Sequence, residues 1–274
     1  MTNTVSLPTA ILIFDIDGVI RDVGGSYRRA LADTVEHFTN NEYRPTPEDI
    51  DKLKLEGDWN NDWEASQEFI RRHFDSQGKL QKLHLDYEQI VAFFQSRYRG
   101  TNPEKWTGYI CEEPLLVNST YFDSLTQSAI PWGFFSGATR ASATYILEER
   151  LGLITPILTA MEDAPGKPDP TGLFHTTEII LDKFKLKEVD KRTPVIYVGD
   201  TVADMYVIKK AREQQQNRQW IAVGVLPPHV QQESSRREAY AENLLKAGAA
   251  LILNDLEQLS ISRIKELRDK RNNG

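Results

Sequence analysis

The sequence predicts an α/β fold: a doubly wound parallel sheet with an inserted helical domain. Three observations carry that expectation. Ala10–Phe14 is apolar throughout and runs directly into Asp15-Ile16-Asp17-Gly18. After residue 129 apolar runs alternate with amphipathic stretches. Between these regions, from roughly residue 26 to residue 128, no strong strand pattern occurs. A short continuous apolar run suits a strand buried on both faces of a parallel sheet. Strands alternating with helices imply βαβ crossovers. The first strand has no partner nearby in sequence, so it has to join the later ones, and the helical block becomes an insertion.

Taken in order, residues 10–14 form the first strand. The segment Tyr27–Phe38 puts Tyr27, Leu31, Thr34, Val35 and Phe38 on one helical face. Further helices are expected over 47–56, 62–74 and 87–98, with Pro45-Thr46-Pro47, Gly57, Gly78 and Gly100 as breaks. Strands then follow over 129–135, 156–160, 194–198, 219–225 and 249–253. Helices over about 139–151, 170–185, 201–213, 235–247 and 255–270 separate or follow them. The expected division is a core of residues 1–22 and 129–274 and a helical domain of residues 23–128.

Composition narrows the function. The chain has 274 residues, 40% hydrophobic and 27% charged, as ordinary globular proteins do. Its formal net charge of −7 argues against nucleic acid as the main partner, which calls for basic surface. The single cysteine, Cys111, leaves no internal disulfide and no cysteine-based zinc site. No leader pattern opens the sequence, and no apolar run approaches the ~18 residues that a membrane span needs. A cytoplasmic protein without membrane contact is expected; oligomeric state is left open. The five histidines show no metal-ligand spacing.

Four stations concentrate chemistry. At Asp15-Ile16-Asp17 two carboxylates stand two apart just past a strand, on one side of the chain. Like charges so placed need a cation or a proton between them. One carboxylate can attack phosphorus while the other moves protons, or the pair can simply be the metal-free polar end of a strand. At Phe135-Ser136-Gly137 a strand gives way to a helix. Ser136 can donate to a phosphate oxygen beside free backbone N–H groups, or can serve as a plain N-cap. At Lys167-Pro168-Asp169-Pro170 a lysine lies in a proline-braced loop, with Asp169 as N-cap and Pro170 at the first helical position. Lys167 can neutralise both a phosphate and Asp15, or lie on the surface. At Val198-Gly199-Asp200-Thr201-Val202-Ala203-Asp204 two acids follow another strand. They suit an oxygen-coordinated Mg²⁺, or simply complement a helix N-terminus.

All four stations fall at carboxyl ends of parallel strands, where ligands of such sheets gather. In that order the set resembles the haloacid dehalogenase superfamily of aspartate-nucleophile hydrolases, with the insertion resembling the helical cap of its first subfamily. The resemblance implies Asp15 as nucleophile and Asp17 as general acid/base. It implies Ser136 and the Gly137 backbone as phosphoryl holders, and Lys167 as the cation steadying nucleophile and phosphate. Mg²⁺ would be bound by Asp15, the Asp17 backbone carbonyl and Asp200, with Asp204 holding metal-bound water or orienting its neighbours. Members that cleave carbon–halogen or carbon–phosphorus bonds typically lack the second acid. Asp17 therefore points to a phosphatase for a small organic phosphate monoester, working through an aspartyl phosphate. A phosphomutase of the β-phosphoglucomutase type is the alternative, and a non-catalytic binding or regulatory protein a third. Within the insertion, Trp59 and Trp63 are candidates for a specificity loop or for core packing. Arg21, Arg28 and Arg29 could meet a second anionic group of the substrate or face solvent.

Overall fold

A computed structural model describes residues 7–59, 61–79, 84–186 and 193–269. The chain divides into two compact units, one of residues 1–22 with 115–274 and the other of residues 23–114.

The first unit is built on a six-stranded sheet: β1 (Ile11–Phe14), β2 (Trp132–Phe135), β3 (Leu158–Thr159), β4 (Val195–Gly199), β5 (Trp220–Val225) and β6 (Leu251–Leu253). All pairs are parallel and the order is β3-β2-β1-β4-β5-β6. β1 thus lies in the interior of the sheet, and each of its residues is buried. Its alternating side chains feed two different layers. Ile11 and Ile13 face a core shared with Leu173 and Ile180 of α7 (Thr171–Lys183), Val207 and Ile208 of α8 (Val202–Gln214), and Leu244 of α9 (Ser234–Lys246). Phe14 turns the other way, edge-on to Phe122 at 5.6 Å and beside Phe134 at 6.0 Å. Phe122 belongs to α5 (Ser119–Gln127). Helices on both faces explain why the strands read as continuous apolar runs.

Residues 115–128 go with this unit, although the sequence alone groups them with the insertion. The reason is the aromatic face of α5: Phe122 packs on Trp132 and Phe134, and the Tyr121 hydroxyl donates to the Leu259 carbonyl at 3.1 Å. The helix expected over 139–151 is a short α6 (Arg140–Thr144) continued by a π-helical turn, Tyr145–Arg150. The last helix splits into a 3₁₀ turn, Leu256–Gln258, and α10 (Ile261–Asp269).

The second unit is helical: α1 (Tyr27–Phe38), α2 (Pro47–Leu55), α3 (Asp62–Ser76), α4 (Tyr87–Tyr98) and a 3₁₀ turn, Tyr109–Glu112. Thr46 and Asp49 form a reciprocal capping box with Pro47 at the first position of α2, so the expected break is a helix start. Tyr27 packs edge-on against Phe94 and Tyr98 at 5.5 and 5.3 Å. The buried Ser26 hydroxyl donates to Glu113, fastening the two ends of the unit.

Candidate active site at the carboxyl edge of the sheet

The parallel register aligns Phe14 with Phe134 and with Val198, which brings the ends of β1, β2 and β4 to one edge. Asp15 extends β1 by one further hydrogen bond, its N–H donating to the Val198 carbonyl at 2.8 Å. Its side chain is buried, as are those of Asp200 and Asp204, and carboxylate oxygens of the three lie within 4.8 Å of one another. Lys167 enters from the loop after β3. Its ammonium lies 2.9 Å from Asp15 Oδ2 and 2.7 Å from Asp204 Oδ1, above the rings of Phe135 and Tyr197. The surface reading of Lys167 is therefore excluded.

The two acids of the β4 station differ sharply. Asp204 is saturated. Its Oδ1 takes Lys167 and the Tyr197 hydroxyl, and its Oδ2 takes the backbone N–H and hydroxyl of Thr201 in a capping box. Burial opposes its ionisation, but Lys167 and these donors hold its carboxyl below the ordinary value. Asp200 rests against Gly18 and fills the space a side chain there would take, and the left-handed φ of +71° separately favours glycine. Burial, followed by the charges of Asp204 and Asp15, pushes Asp200 well above the usual carboxylate range. Gly199 makes similar room for Asp204, since a Cβ there would lie 2.4 Å from the Asp204 side chain.

Asp15 is divided between two environments. Oδ2 faces Lys167, whereas Oδ1 is buried without a hydrogen-bond partner. Burial pushes its carboxyl up to about 6, with Lys167 opposing and Asp204 and Asp17 adding to the rise. For Lys167 burial disfavours the charge, yet Asp15 and Asp204 outweigh it and raise the ammonium above its ordinary value. Four carboxylates in this edge region face Lys167 and Arg21, so full ionisation leaves two negative charges unmatched. An orphaned buried oxygen, an all-oxygen donor set and two excess negative charges fit a hard divalent cation such as Mg²⁺.

Asp17 stands apart from the three-acid group. Its carboxylate pairs with Arg21 at 2.6 Å and keeps 23% of its side-chain surface exposed, while the Arg21 side chain has none. Ser136 is buried and accepts the Ala138 N–H at 3.2 Å. It is not a helix cap, because Thr139 fills that place at α6. Gly137 follows in an open position where a Cβ would meet nothing within 4 Å. Helix α7 starts at Thr171, one residue later than the sequence suggests, and Asp169 still accepts the Thr171 N–H at 2.9 Å.

Sequence reasoning missed two contributors, Tyr197 and Thr201, and gave a third, Arg21, a different part. Tyr197, on β4, shares its single hydroxyl proton between the Phe135 carbonyl and Asp204 Oδ1, both at 3.1 Å. Thr201 orients Asp204, and the spacing Thr-x-x-Asp could have announced it. Arg21 lies four residues after Asp17, again a readable spacing. Of the other arginines considered for the substrate, Arg28 is engaged with Asp51 and the Pro47 carbonyl, and Arg29 lies over the Tyr109 ring at 4.2 Å. Trp59 donates to Glu56 at 3.0 Å within the helical unit.

A family model described as haloacid dehalogenase-like hydrolase matches residues 9–212. The chain belongs to the haloacid dehalogenase-like hydrolases. A curated relative from Phytophthora nicotianae, named imidazoleglycerol-phosphate dehydratase, is 30% identical over 259 residues. That match takes in 93% of this hydrolase but 50% of the relative, so the chain spans half the length of that protein. Among solved structures, phosphatase Tt82 from Thermococcus thioreducens superposes with a TM-score of 0.59 at 21% identity, covering 78% of this chain and 92% of its own. CbbY from Rhodobacter sphaeroides, in complex with phosphate, gives 0.60 at 14% identity over 95% of this chain and all of its own (100%). These likenesses establish the shared fold. No helix among the described residues of this hydrolase is long and apolar enough to cross a membrane.

Proposed function

We propose that this hydrolase is a Mg²⁺-dependent phosphatase that cleaves a small organic phosphate monoester through an aspartyl phosphate on Asp15. The observation carrying this reading is the divided Asp15 carboxylate, with Oδ2 neutralised by Lys167 and Oδ1 buried without a partner. Asp15, the Asp17 backbone carbonyl and Asp200 would hold the metal. Bound there, Mg²⁺ supplies positive charge to the phosphate oxygens and the nucleophile.

Asp15 attacks phosphorus, and the bond to the leaving oxygen breaks as Asp17 hands its proton to that oxygen. Asp17 then takes a proton from water as the water attacks the phosphoryl group. Inorganic phosphate leaves, and Asp15 is free again. Ser136 and the Gly137 N–H hold the equatorial phosphate oxygens, and Lys167 balances charge on nucleophile and phosphate alike. Asp204, whose lone pairs are occupied, orients Lys167 rather than binding metal.

The curated relative is named for an imidazole-bearing phosphate monoester, and this chain matches half of it. Imidazole-bearing phosphate monoesters therefore come first among substrates to try, beside sugar phosphates, phosphoglycolate-like acids and amino-alcohol phosphates. The test measures phosphate release across a monoester panel with Mg²⁺ and with chelator, beside Asp15→Asn. Steady, Mg²⁺-dependent release that Asp15→Asn abolishes is expected. Isomerised product dependent on a bisphosphate would favour the mutase, and no turnover of any ester the binding protein.

A further inference from the structure

We propose that Arg21 is a positioning residue that clamps Oδ1 of Asp17 and thereby makes Oδ2 the oxygen that carries the proton in both steps. The inference rests on the phosphatase reading above and adds to it a residue that the four motifs do not include.

The contact is one-sided. Arg21 Nε donates to Asp17 Oδ1 at 2.6 Å, and Nη2 of the same guanidinium lies 2.6 Å from that same oxygen. The geometry is not the two-oxygen fork that arginine commonly forms with a carboxylate. Oδ2 accepts no hydrogen bond from any described residue, and Asp17 retains the 23% exposure that a group meeting substrate and water requires. Lys167, the other cation of the site, contacts Asp15 and Asp204 instead.

The clamp itself has little freedom. The Arg21 side chain is wholly buried. Its backbone is bracketed as well: its N–H donates to the Ile16 carbonyl at 3.2 Å and its carbonyl accepts the Gly18 N–H at 2.9 Å. It also forms an antiparallel bridge with Leu115. A rigid, desolvated guanidinium holding one carboxylate oxygen fixes the rotation of the whole carboxylate. The Nε–H that donates to Oδ1 leaves Oδ2 as the oxygen able to carry the proton. The leaving oxygen and the later water occupy one side of phosphorus in turn, so a single aimed oxygen serves both. Misplacement of about 1 Å in such a group can cost about 100-fold in rate.

The test is a double-mutant cycle on the full chain. Arg21→Gln should lower kcat for an alkyl phosphate about 10- to 100-fold while KM stays within about twofold. In an Asp17→Asn background the same substitution should change kcat less than about twofold. Arg21→Lys, which keeps a donor for Oδ1, should recover part of the loss. It also supplies the same comparison should Arg21→Gln not fold. Independently of turnover, the Arg21 Nε–H resonance should move in Asp17→Asn. Equal kcat losses in both backgrounds, or an unmoved resonance, would overturn the positioning role alone. A wild-type protein that hydrolyses no monoester would overturn the phosphatase reading, and the role with it.

Discussion

Gly18 and Asp200 share one space: a Cβ on residue 18 would lie 2.0 Å from Asp200 Oδ2. The turn after β1 thus forms the wall against which Asp200 leans. Gly18→Ala meets both this contact and a φ of +71°, which side-chain-bearing residues rarely adopt. The expected result is loss of at least about 100-fold in kcat/KM, with Mg²⁺ no longer raising the melting temperature. Activity assays and thermal melts with and without Mg²⁺ check it.

Lys167 is the sole cation touching both Asp15 and Asp204 among the described residues. Lys167→Met retains the aliphatic stem but strands two buried carboxylates. Removing one partner of a buried ion pair costs about 3–5 kcal/mol. Urea denaturation should report a destabilisation of that order, and Mg²⁺ should recover only part of it. A stability within about 1 kcal/mol of wild type would mean that the lysine charge is not what holds this site together.

The Asp15 carboxyl, raised to about 6 mainly by burial, gives a signed prediction for pH. The metal-free folded chain binds this proton more tightly than the unfolded chain does. The associated stability is complete below the unfolded value of 3.8 and is lost as pH rises through about 6. By the linkage relation the loss is about 3 kcal/mol. Asp15→Asn removes the titration, so the wild type should weaken relative to this variant between pH 4 and pH 7. Adding Mg²⁺ at pH 7 should close the gap. Melting curves of both proteins across that range decide it, and a pH-independent difference would count against the cause given.

Tyr197→Phe removes one hydroxyl proton shared by the Phe135 carbonyl and Asp204. A buried hydrogen bond of this kind contributes about 1–2 kcal/mol. The substitution should cost that much in chemical denaturation and reduce kcat only a few-fold, because Thr201 and Lys167 still hold Asp204. A loss of activity of about 100-fold, as deep as that expected for Gly18→Ala, would assign Tyr197 a larger part.

Much of this fold is legible in the sequence. All six strands lie where the apolar runs stand, since a strand buried on both faces leaves a continuous signature. The acids and Lys167 were found because their positions relative to the strands set where they emerge. What escaped was anything decided by side chains meeting across the fold. Tyr197 looks like one more apolar strand residue until its hydroxyl finds Asp204. Arg21 reads equally as a substrate contact or a surface charge, and only the fold buries it beside Asp17. The place of residues 115–128 was hidden for the same reason. Helical periodicity shows that Phe122 faces something, and only the structure shows that Trp132 and Phe134 are its partners.

The placement of β1 between β2 and β4 has a consequence for how the chain is made. Leu12 pairs with Trp132 on one side and Ile196 on the other. A ribosome delivers β1 before either neighbour, and β4 much later than β2. Residues 23–114, by contrast, are contiguous and can close on themselves as soon as they emerge. The sheet-bearing unit therefore waits, holding an unpaired apolar strand with both edges open, while the helical unit is already complete. Asp15, at the end of β1, is made before the strands that bury it and is set in place only after them.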